Sequence, residues 1–282
     1  LSVDGIQLLL KQADIGRQII RKALEFGASL AGIANVEELK KSPSHMISGK
    51  MADFSGVGTK QIDGKKEGEV DWPENARSAV VIAVEHPEAF PDLDWWHKGL
   101  KGGTKGNAKL MAVFSKLSGW IEEETQITCI KLAYHIEHGG VFMKDTAVLG
   151  GLGCIGKNNI LVTPDFGSRV RLRVMLLDID LPSTGVIDFD PCKDCEEFCR
   201  KACPQGAFNE KIYSAEDYGQ DILPARTGVY SRFTCNIQME KEADKGEDLP
   251  VEGTDKIGKR VKYCRLCELA CPVGRKKAKA AS

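Results

Sequence analysis

The chain has 282 residues, 39 of them basic and 40 acidic, for a net charge of −1, and 42% of it is hydrophobic. Bulk charge of this kind recruits neither nucleic acid nor an anionic membrane, and no apolar stretch reaches the ~20 residues that span a bilayer. The length suffices for a sizeable core in one or two domains.

From the N-terminus, Ile15, Ile19, Ile20, Ala23 and Phe26 recur at helical spacing, and Gly27 is placed to cap that helix. Residues 29–34 (SLAGIA) read as a short strand, and 41–75, rich in Gly, Ser and charge, as a long loop. The apolar run 79–84 (AVVIAV) suits a strand covered on both faces. Trp95, Trp96 and His97 follow a Pro-rich turn and either cap a pocket or pack under the loop. Leu110, Val113, Phe114, Leu117, Trp120 and Ile121 form an amphipathic helix stripe. Ile127, Ile130, Leu132 and Ile136 continue it or start another helix, which Gly139 and Gly140 end, and Cys129 falls on this stripe as a core residue. Strand character returns at 160–162 and 170–177, where Val170 to Val174 alternate apolar and basic, as a half-exposed strand does. Charged residues 236–263 read as a surface loop, and Arg275, Lys276, Lys277 and Lys279 as a solvated tail.

Eight of the ten cysteines lie between 192 and 271. Cys192, Cys195, Cys199 and Cys203 precede Pro204 in a C-x2-C-x3-C-x3-C-P run. Cys264, Cys267 and Cys271 precede Pro272, with Cys235 upstream. Closely spaced thiolates ending in Cys-Pro wrap iron–sulfur clusters, the last Cys of each run reaching the cluster of the other. That rule assigns Cys192, Cys195, Cys199 and Cys271 to one [4Fe-4S] cluster, and Cys203, Cys235, Cys264 and Cys267 to a second. A disulfide framework is disfavoured, because cysteines so close rarely bridge and no apolar leader is present; the expected compartment is the reducing cytoplasm. Structural zinc uses C-x2-C pairs and does not call for C-x3-C-P. The first run carries one more residue than the usual bacterial pattern, within Glu196, Glu197 and Phe198. The cysteine distribution divides the chain near 181–185 into a cluster-free α/β part, 1–186, and a cluster part, 187–282.

Residues 149–158 (LGGLGCIGKN) place Gly151, Gly153 and Gly156 in a G-x-G-x-x-G spacing. A dinucleotide fingerprint follows a strand and opens a helix, whereas here a helix precedes and a strand follows. Asn158 stands where a phosphate-binding loop has Ser or Thr. A tight turn and a close backbone approach to another large cofactor remain open.

The stretch 147–158 (AVLGGLGCIGKN), then 161–172 (LVTPDFGSRVRL) and 177–182 (LDIDLP), resembles the corrinoid-dependent iron–sulfur reductases, a superfamily of epoxyqueuosine reductases and reductive dehalogenases. Residues 24–34 and 76–83 are similar to the opening of the same catalytic domain. The resemblance implies an α/β (α+β) fold in which a nitroreductase-like domain is followed by a bacterial two-[4Fe-4S] ferredoxin-like domain. It implies a cobalamin held between them in base-off form, with Gly151, Gly153, Cys154, Gly156, Lys157 and Asn158 against it. Tyr134, Lys144 and Asp145 fall where relatives carry proton donors, although a polar helix face explains each one singly. His135 and His138 stand at a metal-compatible spacing without a third ligand. Epoxyqueuosine reductases usually carry Trp where Cys154 stands and further helices after the clusters; dehalogenases are longer.

The expectation is therefore a cytoplasmic oxidoreductase passing electrons from two clusters to a corrinoid cobalt and a small substrate. It would draw on a donor such as ferredoxin or flavodoxin, with neither nucleic acid nor membrane as partner. The alternative is a pure electron carrier that reduces a partner, such as another protein's corrinoid. A flavin-binding reductase on the same scaffold is a third option.

Overall fold

The apolar stripe around Ile19 and Ala23 has one place to go, a sheet face, and in the computed structural model of the chain it packs there. The structure describes residues 3–48, 50, 69, 70, 72–250 and 257–275. Helix α1 (Val3–Glu25) ends at Gly27, whose φ of +106° only glycine adopts freely. Strand β1 (Leu30–Asn35) leads into α2 (Val36–Lys40), capped by the Asn35 side chain, and α3 (Pro43–Ser48). Strand β2 (Ser78–Glu85) precedes a 3-10 turn, Pro91–Asp94, and the two-residue β3 (Trp96–His97). Helix α4 (Lys105–Thr125), β4 (Cys129–Ile130), α5 (Met143–Leu149), β5 (Cys154–Ile155), β6 (Leu161–Val162) and β7 (Val170–Leu177) follow. The cysteine-rich part carries α6 (Phe198–Lys201), α7 (Ala215–Tyr218), α8 (Arg232–Asp244), β8 (Glu247–Pro250), β9 (Ile257–Val261) and α9 (Leu266–Leu269).

The main sheet runs β1-β2-β7-β4 with every pair antiparallel. Its two faces are buried separately. Val80, Ile82 and Val84 of β2 join α1 and α4 in one core, while Ala79, Val81 and Ala83 join α2 and α5 in the other. The continuous apolar run of β2 thus follows from helices on both faces, although the sheet is antiparallel. This is the mixed α/β class expected. Among the described residues no helix is long and apolar enough to cross a membrane.

Three expected elements differ. Helix α4 stops at Gln126, in a left-handed conformation, and Cys129–Ile130 then pair with the edge of β7 instead of continuing a helix. The apolar periodicity of 127–136 reflects one edge strand and a 3-10 turn, Ile136–His138, which Gly139 closes at φ +88°. Residues 236–263 are not simply a loop: α8, capped by Ser231, is followed by β8 and β9, and β9 pairs with β3 across the chain. Of the loop expected at 41–75, α3 is helical, and 49, 51–68 and 71 lie outside the described residues, as do Lys276, Lys277 and Lys279.

Candidate active site

The glycine stretch folds as a small hairpin, β5 against β6, packed beside α5. Its glycines are explained by the chain itself. A Cβ on Gly153 would stand 2.0 Å from the Val162 carbonyl oxygen, one on Gly151 2.6 Å from that of Gly185, and one on Gly156 2.7 Å from Asn158 Oδ1. Gly153→Ala is therefore expected to force β5 off β6 and cost about 2 kcal/mol or more, as overpacking does. An unchanged urea midpoint would contradict this packing.

Two hollows meet at this hairpin. The larger, of about 750 Å³, is lined on one side by Gly153, Cys154 and Ile155 and on others by Val148, Leu149 and Asp145. Residues 186–190, 221–224 and Arg226 complete its lining. Its volume and apolar wall with a few polar groups are those of a ligand site. Asp145 is 4% exposed; its Oδ1 accepts the Ser44 N–H at 2.9 Å, while its Oδ2, also buried, has no partner. Lys144 is turned away: its Nζ donates to the Asn159 carbonyl at 2.5 Å, and burial pushes its pKa down. Tyr134 is not a lining residue of this hollow; its ring lies 5.1 Å from the Arg173 guanidinium. The rings of His135 and His138 meet edge-on at 5.6 Å at that 3-10 turn. Cys129 is buried in the first core, and burial pushes its thiol up to about 12.

His45 borders this site without offering a catalytic pair. Its Nε2 accepts the Phe142 N–H at 3.2 Å, so the proton sits on Nδ1 and is donated to Ser42 Oγ at 2.9 Å. A histidine so held cannot take the serine proton. Burial lowers its pKa from 6.5 to about 4, against the opposing pull of Asp145. Because the unfolded chain binds this proton first, stability is full above about pH 6.5 and falls toward pH 4, by on the order of 3 kcal/mol. Thermal midpoints across that window should show a slope that His45→Gln flattens.

The smaller hollow is lined by Cys192, Cys195, Cys199 and Cys271, with Lys157 and Asn158. Burial pushes Cys199 up to about 11, and the nearby Cys271 adds to it. Cys203, Cys235, Cys264 and Cys267 form a second group, in which each charge acts on its neighbours. Burial pushes Cys267 up to about 12, and Cys199 of the first group contributes. Thiols so buried and crowded ionise together only when a bound cation compensates them. The extra residue of the first run is absorbed by Glu197 at φ +58°, held by Lys157 Nζ at 2.9 Å and Arg200 at 3.4 Å. Asn158 Nδ2 donates to the Cys267 carbonyl at 3.4 Å, joining the hairpin to the second run.

A buried charge network then fixes that run to the sheet. Asp94 meets His86 Nδ1 at 2.8 Å, Arg171 at 2.7 Å and Arg265, and Glu268 meets Arg171 at 2.9 Å and Arg265. Burial alone would raise the Asp94 pKa; His86, Arg171 and Arg265 outweigh it and hold the carboxyl below its usual range. Sequence reading passed over this network because its members are spread over more than 170 residues of chain, from His86 to Glu268, and singly resemble surface charges.

No protein-family model matches the chain. An epoxyqueuosine reductase of Bacillus cereus is 23% identical over 265 residues, covering 91% of this chain and 63% of that relative, so the chain spans less than two thirds of its length. An epoxyqueuosine reductase solved with an epoxyqueuosine-modified tRNA stem loop superposes with a TM-score of 0.60 at 20% identity, covering 94% of this chain and 67% of the other. A reductive dehalogenase structure described in terms of B12-dependent dehalogenation gives a TM-score of 0.58 at 16% identity, covering 93% of this chain and 32% of the other. The expectation that nucleic acid is no partner is thereby corrected: a protein of this fold carries tRNA. Net charge failed as a guide because it averages over the surface, whereas binding depends on local charge. By sequence the chain is similar to the epoxyqueuosine reductases, and by fold it groups with them and with the reductive dehalogenases, the superfamily its motifs resemble.

Proposed function

We propose that the chain is a corrinoid-dependent iron–sulfur reductase. In this reading Cys192, Cys195, Cys199 and Cys271 hold one [4Fe-4S] cluster, Cys203, Cys235, Cys264 and Cys267 a second, and the large hollow a corrinoid. Residues 1–186 serve as the nitroreductase-like cofactor domain and 187–282 as the ferredoxin-like domain, with β3 and β9 pairing across the boundary.

The observation that carries the proposal is the shared wall. Cys154 and Asn159 line the large hollow while Lys157 and Asn158, on the same hairpin, line the first thiol group. A redox pair placed on either side of one short segment has no need of a moving carrier. The C-x3-C-P spacing of both runs, which structural zinc does not call for, favours clusters.

When bound, the clusters supply single electrons and the corrinoid a reducing cobalt. The chain's own residues do the rest. Val148, Leu149 and Ile155 give an apolar wall that keeps water from the reduced centre. Asp145, through its unpartnered Oδ2, accepts a hydrogen bond from the bound group or carries the proton the substrate receives. Lys144 holds the Asn159 turn and so shapes the wall. From the likeness to epoxyqueuosine reductases, an epoxyqueuosine-bearing RNA is the first substrate class to assay. The hollow itself speaks against a pure electron carrier, which has no use for one.

Anaerobic EPR of the reconstituted protein with cob(II)alamin, together with iron and cobalt analysis, tests the reading. The expected result is about eight irons per chain, near-stoichiometric cobalt and a Co(II) spectrum without nitrogen superhyperfine splitting. Full iron with cobalamin left in its free-solution form would make the chain an electron carrier.

A further inference from the structure

Ala225 and Arg226 sit consecutively in the left-handed region, at φ +52° and +70°. Residues with side chains rarely adopt that conformation, and two in a row persist only where their surroundings hold them. The hold is visible. The Ala225 N–H donates to Asn159 Oδ1 at 3.1 Å, its carbonyl accepts from Arg200 at 3.0 Å, and the Arg226 N–H returns to the Leu223 carbonyl at 2.8 Å. The bend aims the Arg226 guanidinium inward across the hairpin. Its Nε donates to the Ile155 carbonyl at 2.5 Å, its Nη2 to Cys154 Sγ at 3.3 Å and its Nη1 to Asp190 Oδ1 at 2.6 Å. That same Asp190 oxygen accepts the Cys192 N–H at 3.1 Å. Arg226 also lines the large hollow. One cation therefore touches the hollow, the hairpin and the aspartate that anchors the first cysteine of the first run.

We infer that Arg226 is a positioning residue that sets the reduction potential of the first cluster and fixes the wall through which its electron leaves. This rests on the cluster reading proposed above. A reduced cluster carries one more negative charge than an oxidised one, and a fixed guanidinium beside Cys192 favours the reduced form. Placing the same charge against the hollow stabilises the electron at the point of exit. The rigid fork matters as well as the charge, since a lysine cannot hold Ile155, Cys154 and Asp190 together.

The test is an EPR-monitored redox titration of the reconstituted chain with dithionite, with iron counted in every sample. Arg226→Gln, which keeps a polar side chain and removes the charge, is expected to lower the reduced-to-oxidised ratio of the first cluster about tenfold at a fixed ambient potential, equivalent to 59 mV for one electron. Asp190→Asn keeps the acceptor for the Cys192 N–H and leaves the guanidinium uncompensated, so it should shift the ratio the opposite way. An unshifted potential in an iron-replete Arg226→Gln overturns the inference. If that variant does not hold iron, an unshifted Asp190→Asn overturns it instead. Absence of iron from the unmodified chain would end the cluster reading itself, a distinct outcome.

Discussion

Replacing Cys199 with Ala is expected to cut iron from about eight to about four per chain and to leave one cluster signal where the unmodified protein gives two. Cys199 is buried on α6 and shares its opening with Cys192, Cys195 and Cys271, so no other thiol can replace it there without moving the helix. The second group is Cys203, Cys235, Cys264 and Cys267, and the charge of Cys199 acts on its Cys267. Iron analysis and EPR of the reduced variant check the result. Unchanged iron would show that the first group is not a cluster site. Loss of all iron would show that the two groups do not load independently.

The second large effect concerns stability. Asp94→Ala is expected to cost about 3–5 kcal/mol, the penalty for stripping a partner from buried charges. Its two oxygens meet His86, Arg171 and Arg265, and Arg265 stands next to Cys264. Glu268, only 4% exposed, cannot by itself compensate both guanidiniums. For a chain of this size the loss corresponds to a melting point roughly 10 °C lower. Asp94→Asn keeps one acceptor oxygen, for His86 and Arg171 or for Arg265 but not both, so its cost should be smaller yet still clear. Thermal unfolding followed by circular dichroism separates the two variants. Equal melting points for Asp94→Ala and the unmodified chain would mean that the network contributes nothing net.

Much of the α/β part is legible because local pattern and burial agree there. The AVVIAV run can only be a strand buried on both faces, and the Leu110–Ile121 stripe can only be a helix with one face covered. Pattern misled where a short element borrowed its stability from elsewhere. Cys129–Ile130 is a strand because it pairs with the edge of β7, and the two-residue β3 is a strand because it pairs with β9. Such pairings join residues far apart in sequence and leave no local period. The glycine stretch shows the same limit. Its spacing suggests room for a ligand, yet the neighbours of Gly151, Gly153 and Gly156 are backbone and side chains of the chain itself. Of the three expected proton donors, Asp145 alone is a lining residue of the hollow: its neighbour Lys144 on α5 points to different surroundings, and Tyr134 lies outside α5 against Arg173. Arg226 escaped sequence reading altogether, since neither its left-handed backbone nor its reach to Asp190 has a sequence signature.

The central claim is that the first thiol group and the large hollow form one electron path through a single wall. It is tested most directly by reducing the clusters chemically, removing the reductant and adding one equivalent of cob(II)alamin, with both spins followed by freeze-quench EPR. The account predicts that the cluster signal and the Co(II) signal fall together, one for one, at a rate set by binding. A cluster signal that persists while cobalamin sits bound and unreduced would contradict it.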